Sequence, residues 1–449
     1  MPPIRKVLIA NRGEIAVRIM RACAGAGIDF VTVYSDADAT MPWVRNSSKS
    51  CRLGPAPVQL SYLSIDRLIE AAETTQCDAV HPGYGLLSEN ANFAKRVVDA
   101  GLIWIGPRPE TISMMGVKPR ARAQMREAGV PVVPGSDGEV ADLLNAKKIA
   151  AELGYPVMVK AASGGGGIGM ELAADEAALE RAMKGVAERA KRFFGGESVY
   201  IEKALIKPRH IEVQIIGDDF GNVAHLYERE CSIQRRNQKV VEESPAPLST
   251  DRFPGLRDKI TDAAVRAARA VGYKNAGTVE FLVDGFGNYY FLEMNCRLQV
   301  EHPVTECVTG MDIVAEQLRI AAGEKLSFTQ KDIQQKGSAI ELRLYAEDPT
   351  KNFMPSPGPI HEWEFPAAPG FRIDAGFGAG DAITPFYDPL IAKLIFHGGT
   401  RREAIERALF TLNQSRVGPL KTNLELHKKI LANEVFKSGD LSTDFLKLL

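Results

Sequence analysis

Lys160 ends an apolar stretch, PVMVK, that runs into the glycine-rich segment SGGGGIG at 163–169. Glycines let backbone N–H groups approach a phosphate closely, and positive φ costs them little. The run lacks the GK[ST] of a Walker loop and the spacing of a dinucleotide fingerprint. Taken alone it reads equally as a flexible turn. Lys160, seven residues before Gly167, favours the phosphate reading, since its ammonium can project along the same face. Two carboxylates stand where a metal could use them. Glu280 lies in TVEFLVD and Glu293 in YYFLEMN, on two strands joined by the turn Asp284-Gly285-Phe286-Gly287-Asn288. A hairpin can bring both acids to one face, to share divalent ions that also bind ATP phosphates. The alternative is a pair of ordinary solvent-facing glutamates. Each sits in an almost wholly apolar strand, where an unpaired carboxylate is costly, and that favours metal.

Asn295, Arg297, Gln299 and Glu301 follow at period two, so they share one side of an extended segment. A guanidinium, an amide and a carboxylate together make a small-anion site with a base beside it. A structural Arg297–Glu301 salt bridge is the competing reading, but it leaves Asn295 and Gln299 unexplained. A second polar run, CSIQRRNQK at 231–239, is continued by VVEESPAP and reads as an ordered segment rather than a solvated tail.

These groups need a scaffold. In the first hundred residues Lys6–Ala10, Phe30–Tyr34, Ala79–Val80 and Ile103–Ile105 read as strands. Helices fall at Glu14–Ala26, Ser64–Thr75 and Asn90–Ala100. This alternation predicts a doubly wound parallel sheet, with ligands beyond the strand ends at Asn11-Arg12-Gly13 and His81-Pro82-Gly83-Tyr84-Gly85. A linking helix over Lys118–Ala128 is closed by Gly129 and Pro131. The next segment has helices at Glu139–Leu153 and Glu176–Phe194 and strands at Pro156–Ala161 and Ser198–Ile201. From His210 the chain is strand-rich, then mixed α/β. Three packed domains are expected, the middle one small enough to move. The fold class is α/β.

The 449 residues exceed one ordinary domain, and 45% hydrophobic with 25% charged residues is a globular composition. Fifty-five basic against 56 acidic residues argue against a molecule-wide nucleic-acid surface. Cys23, Cys51, Cys77, Cys231, Cys296 and Cys307 form no CxxC pair, so zinc-ribbon and thioredoxin-type sites are not indicated and a reducing compartment is expected. No stretch approaches the ~20 apolar residues of a membrane span, and the N-terminus shows no signal-peptide pattern. A cytoplasmic protein, away from membranes, is the expectation.

The succession IANRGEIAVRI, HPGYGLLSEN, REAGVPVVPG, GGGGIGM, PRHIEVQI, ERECSIQRRNQKVVEESPAP, LEMNCRLQVEHPVTE, RLYAEDP and PSPG closely resembles the biotin carboxylase family of ATP-grasp enzymes, in family order from Ile9 to about Lys421. The resemblance implies an N-terminal biotin carboxylase domain at 1–115, a linker helix at 116–131, an ATP-grasp lid at 132–204, a catalytic core at 205–335 and a C-terminal domain at 336–449. It assigns nucleotide contacts to Lys118, Lys160, Gly164, Gly165, Gly166, Gly167, Glu202, Lys203, Leu205, His210, Gln234 and Leu282, with Asn237 in the same group. Glu280, Glu293 and Asn295 match magnesium (or manganese) positions. Lys239, Arg297, Gln299 and Val300 match the bicarbonate pocket. Glu301 matches the base that deprotonates bicarbonate, Arg343 the arginine that stabilises the biotin enolate, and Tyr84 a loop near biotin. The implied activity is carboxylation of biotin on a separate carrier protein, from ATP and bicarbonate through carboxyphosphate. The implied partners are a biotin carboxyl carrier protein and a carboxyltransferase, and a homodimer is implied as the assembly.

The chain departs from the family pattern at three places. Ile168 and Glu171 stand where basic residues are usual, and Val117-Lys118-Pro119 replaces an acidic residue before the lysine and a non-proline after it. Loss of charge at Ile168 and Glu171 would weaken ATP binding or slow lid closure, unless both positions lie at the edge of the loop. Pro119 is compatible with a first helical turn. Cys296, where a small residue is usual, reads as packing rather than nucleophile. No biotinylated-lysine context (Met-Lys-Met) and no carboxyltransferase region is present, so carrier and transferase are expected on other chains or in a longer parent. RLYAEDP and YDPLIAKLI lean toward acyl-CoA and pyruvate carboxylases. A catalytically impaired scaffold protein is the rival reading suggested by Ile168 and Glu171. An ATP-grasp amino-acid ligase is disfavoured by RLQVEHPVTE.

Overall fold

Short apolar strands alternating with amphipathic helices give the N-terminal third a five-stranded, all-parallel sheet. Its order is Ser50–Gly54, Asp29–Ser35, Lys6–Ile9, Ala79–His81, Ile103–Trp104. The computed structural model describes residues 4–449 except 141, 163–168, 195, 197 and 249–251, and nothing of the side chains at 193 and 194. Val7, Leu8 and Ile9 are fully buried, as expected of a parallel strand covered on both faces. The strand order reverses between Lys6–Ile9 and Ala79–His81, and the two loops expected to bear ligand meet there. Asn11 Nδ2 donates to the carbonyls of Pro82 and Tyr84, both at 2.7 Å. Gly83 has φ +63°, and a Cβ there would come within 3.0 Å of Asn11 and Ile15, so the close approach requires glycine. The edge strand Ser50–Gly54 is not evident in the sequence, because SCRLG carries charge and little apolar length.

Residues 143–203 hold an antiparallel sheet, Met170–Ala173, Val157–Ala161, Val199–Lys203, packed on the helices Leu143–Leu153 and Glu176–Phe194. Val157, Val159, Ala173 and Ile201 join Ala146, Leu179, Ala182 and Val186 in one core. The first helix starts later than the expected Glu139. Val140 forms a bridge to Val199 instead, and Asp142 caps the helix by accepting from the Asn145 N–H at 2.8 Å. Lys118–Glu127 is helical with Pro119 in its first turn, as expected.

The largest sheet is antiparallel and eight-stranded, in the order Tyr289–Asn295, Asn275–Val283, Arg209–Gly217, Val223–Arg235, Gln238–Ser244, Ser338–Tyr345, Leu390–Gly398, Phe371–Ala375. Its register builds the site. Glu293 lies opposite Glu280, Glu280 opposite Glu212, and Glu212 opposite Arg229, a row of ionisable groups across four strands. Further along, Glu242 faces Glu341 and Arg343 faces Lys393. Helix His302–Thr309 packs on this sheet through Val304 and Val308, which meet Ala339 and Ile395. Among the described residues, no helix is long and apolar enough to cross a membrane.

Candidate active site

The three units surround one cleft of about 1140 Å³, lined from the parallel sheet by Tyr84, from the small sheet by Lys160 and Glu202, and from the large sheet by Lys239, Glu280 and Arg343. Lys118, Lys203, Leu205, His210, Gln234, Asn237, Leu282, Glu293, Asn295, Arg297, Gln299 and Val300 also line it. Gly164, Gly165, Gly166, Gly167 and Ile168 lie outside the described residues. Every other residue that the resemblance assigns to the site, except Glu301, borders this space. Glu301 lies just behind the wall, fully buried and bonded to two residues that do border it.

Lys239 is the hub. Its ammonium bonds Glu280 Oε1 at 2.8 Å and Glu301 Oε1 at 2.6 Å, and also bonds Glu212. Three carboxylates around one ammonium in a buried site hold its pKa well above the ordinary lysine value, against the opposing effect of burial. Burial would raise Glu301, but Lys239, Arg343 and Arg229 overcome it and hold the carboxylate well below its usual range. Arg343 is clamped from two sides: its Nε donates to Glu242 Oε1 at 2.6 Å and its Nη2 to Glu301 Oε2 at 3.1 Å. Burial pushes Glu242 up to about 7 despite Arg343. Arg229, entirely buried, bonds Glu212 at 2.5 Å and the side chains of Gln214, Thr305 and Thr278 at 2.8–3.0 Å. Arg229 thus backs Glu212 from behind, while Lys239 is the cation of the row that borders the cleft.

Glu280 and Glu293 sit opposite one another in the hairpin, as the sequence suggests. Burial would raise Glu280, but Lys239 and His210 overcome it and hold the carboxyl far below its usual range. Glu293 is pushed up by burial and by the charge on Glu280. Two like-charged, oxygen-only donors facing one cavity fit a hard divalent cation, which relieves their repulsion. Asn295 Nδ2 donates to Glu280 Oε1 at 2.9 Å, and its Oδ1 accepts from Arg297 at 3.0 Å. Lys118 Nζ is 3.9 Å from Glu293.

Asn295, Arg297 and Gln299 converge: Arg297 Nη1 donates to Gln299 Oε1 at 2.8 Å, and Gln299 Nε2 to Glu280 at 3.3 Å. Arg297 pairs with Glu89 rather than Glu301, through Nε at 2.8 Å, and Glu89 also accepts from the Cys296 N–H at 2.9 Å. Cys296 is buried and its thiol is pushed up by desolvation, in keeping with a packing role. His210 Nε2 lies 2.8 Å from Glu280 Oε2, and its Nδ1 faces Gln234 Nε2 at 2.6 Å.

On the lid side, Lys160 and Arg122 both pair with buried Glu202, and Arg122 also donates to the Val133 carbonyl at 2.7 Å. Lys203 reaches back to the Gly154 carbonyl at 2.8 Å. The register settles the position of Glu171. Lys160 pairs with Met170 and Met158 with Leu172, and all four line the cleft. Glu171 pairs with Val159, whose side chain belongs to the helix-covered core, and bonds Arg189 of helix Glu176–Phe194 at 2.6 Å. Its charge is on the far side of the sheet from Lys160, which favours the alternative that this position is peripheral to the phosphate site.

Sequence patterns do not single out Glu89, Glu212, Arg229 or Glu242, which the structure adds to the site. Glu212 carries a usable signal, since HIEVQI has the same charge in an apolar strand that marks Glu280. Glu89 and Arg229 acquire meaning only through partners on other elements, 15 to 208 residues away.

Three family models match the chain: the biotin carboxylase N-terminal domain at 3–112, the ATP-binding domain of the carbamoyl-phosphate synthase L chain at 118–329, and the biotin carboxylase C-terminal domain at 341–448. Biotin carboxylase 2 of Bacillus subtilis is 53% identical over 98% of this chain and 99% of its own. Among solved structures, the biotin carboxylase–β,γ-ATP complex of Campylobacter jejuni superposes with a TM-score of 0.96 at 42% identity, covering 99% of both chains. The biotin carboxylase domain dimer of Hydrogenobacter thermophilus 2-oxoglutarate carboxylase, with MgADP and bicarbonate, gives 0.95 at 43% identity, covering 100% of this chain and 98% of that one.

Proposed function

The chain belongs to the biotin carboxylase family and carries out ATP- and bicarbonate-dependent carboxylation of biotin, and we propose that the charge row of the large sheet divides this work among named residues. The observation that carries the proposal is the Lys239 ammonium held among Glu212, Glu280 and Glu301, with Arg343 bridging Glu301 and Glu242.

Lys160, Lys118 and His210 receive the phosphates of ATP, with Glu202, Lys203, Leu205, Gln234, Asn237 and Leu282 around the nucleotide. Glu280, Glu293 and Asn295 hold magnesium or manganese, which supplies charge neutralisation at the transferring phosphoryl group. Arg297, Gln299, Lys239 and the Val300 backbone bind bicarbonate. Glu301 removes its proton, and the freed oxygen attacks the γ-phosphorus as the bond to ADP breaks, giving carboxyphosphate.

A carboxylate held this low is a weak base. The incoming anions answer that. Bicarbonate and the γ-phosphate compete for Lys239 and Arg343, and as those cations turn toward the substrates the proton affinity of Glu301 rises. Carboxyphosphate then splits to CO2 and phosphate, the phosphate takes the N1′ proton of biotin, and Arg343 stabilises the negative charge on the ureido oxygen. Tyr84 borders the space left for biotin. Turnover by this set, rather than a scaffold role, is favoured because the two rows of cations and carboxylates are complete, and Glu171 does not oppose phosphate binding.

A separate biotin carrier protein and a carboxyltransferase complete the cycle, with an acyl-CoA or a pyruvate-type keto acid as acceptor. A homodimer in the cytoplasm is the proposed state. The chemical assignment is tested with ¹⁸O-labelled bicarbonate, whose oxygen must appear in the inorganic phosphate released. Phosphate free of label would refute attack by bicarbonate on ATP.

A further inference from the structure

Lys393 lies on strand Leu390–Gly398 with its side chain entirely buried, at a position the proposed chemistry does not use. A buried ammonium is costly unless it is paired and hydrogen-bonded. Its two partners connect parts of the molecule far apart in sequence. Nζ lies 3.0 Å from Glu14 Oε1, in the first turn of helix Gly13–Gly25, and donates to the Val300 carbonyl at 2.8 Å. The same Glu14 oxygen accepts from the Tyr84 hydroxyl, and the Lys393 ammonium is 5.9 Å from the centre of the Tyr84 ring. A continuous path therefore runs from Tyr84 through Glu14 and Lys393 to the Val300 carbonyl.

That carbonyl shares its peptide unit with the N–H of Glu301. Fixing it fixes the plane from which the Glu301 side chain departs. The local backbone is otherwise loosely tied: His302 N–H to Gln299 O and Glu301 O from Val304 N–H are both 3.4 Å. The 2.8 Å bond from Lys393 is the stronger restraint on the Val300–Glu301 peptide, alongside His302 Nδ1 at 2.8 Å from the Gln299 carbonyl. Across the sheet Lys393 is flanked by Arg343 and Asp374, and Asp374 is already engaged by Arg372 and Arg21.

We infer that Lys393 is a positioning residue for the reaction, an ammonium that ties the biotin-side Tyr84 loop, through Glu14, to the peptide carrying Glu301. The inference rests on the roles proposed above for Glu301 and Tyr84. Its consequence is coupling. With the tie intact, the base that generates carboxyphosphate and the wall that receives biotin are held in one geometry. Without it, each half moves separately while the ATP-binding groups on the lid side are untouched.

The test compares full-length wild type with Lys393→Met, Lys393→Arg, Glu14→Gln and Tyr84→Phe. The readouts are KM for MgATP, the bicarbonate-dependent ATPase without biotin, and the rate with saturating free biotin. The expected result for Lys393→Met is an ATP KM within about two-fold of wild type and a biotin-stimulated rate lowered by roughly ten- to a hundred-fold, the penalty of displacing a reacting group by about 1 Å. Glu14→Gln and Tyr84→Phe, which keep size and shape, should each lower the biotin-stimulated rate. Either one combined with Lys393→Met should add little, because they break the same path. Partial recovery is expected in Lys393→Arg. An unaltered biotin-stimulated rate in Glu14→Gln and Lys393→Met, or full additivity in the double variants, would overturn the inference. Absence of biotin stimulation in wild type would instead overturn the proposed function itself. If Lys393→Met does not fold, Glu14→Gln and Tyr84→Phe still decide the matter.

Discussion

Replacing Glu301 by Gln keeps the size of the side chain and removes its charge and basicity. Three consequences follow from the geometry. The first is stability. Deleting one partner of an isolated buried ion pair costs about 3–5 kcal/mol. Here neither cation is left alone, because Lys239 retains Glu212 and Glu280, and Arg343 retains Glu242 at 2.6 Å. The loss should therefore fall well under that range, and the variant should fold. The second is anion binding. One of three carboxylates around Lys239 and one of two around Arg343 are removed, which frees positive charge for bicarbonate. Taking ~1 kcal/mol, the solvent-screened floor for such a charge pair, KM for bicarbonate should fall about five-fold. The third is turnover. Loss of a general base lowers the rate by roughly 10²- to 10⁴-fold. Steady-state kinetics with bicarbonate varied at saturating MgATP, beside a thermal melt, reads all three. A folded variant that keeps wild-type kcat would refute the base assignment. A collapse in turnover with a raised bicarbonate KM would instead point to Glu301 as a bicarbonate ligand.

Glu171→Lys should leave KM for ATP within about two-fold, because the side chain faces helix Glu176–Phe194; a several-fold drop would mean the charge reaches the phosphates after all. Glu171→Gln removes only the partly exposed pair with Arg189, so its stability cost should stay under ~1 kcal/mol in a melt, while the lysine variant, which sets a second cation beside Arg189, should cost more. Acid should destabilise the fold through its buried neutral histidines. Burial pushes His427 down to about 4, against its bond to the Arg343 carbonyl, and His81 down to about 3. The unfolded chain binds protons with a pKa of about 6.5, so this stability is complete above that pH and is lost as pH falls toward 4, by about 3 kcal/mol for His427 alone. Glu242, raised by burial to about 7, gains stability as pH falls and opposes this trend, so the test is a difference. Between pH 7 and 5 His427→Gln should lose less melting temperature than wild type, and an identical pH profile would contradict it. Cys296 should resist alkylation in the folded enzyme and react on unfolding; rapid modification of the native protein would contradict its burial.

Much of the site is legible in the sequence because it breaks a simple rule. Glu280 and Glu293 are charges in apolar strands joined by a short turn, and the hairpin places them as read. Applied further, the same rule marks Glu212 in HIEVQI, Glu341 in AIELRL and Lys393 in LIAKLIF, all fully buried. What the sequence does not disclose is register. Arg229 serves the site because it falls opposite Glu212, and Glu171 is harmless because the strand Met170–Ala173, too short and too charged to be recognised, turns it away from the cleft. The Arg297–Glu89 pair joins two loops 208 residues apart in the chain, and no local pattern signals it.

Biotin carboxylation by these residues is tested by bicarbonate-dependent ATP hydrolysis of the purified chain, with magnesium saturating and free biotin titrated. The expected result is a bicarbonate-dependent rate that rises with biotin to saturation. A rate indifferent to biotin at every bicarbonate concentration would rule out biotin as the acceptor at this site.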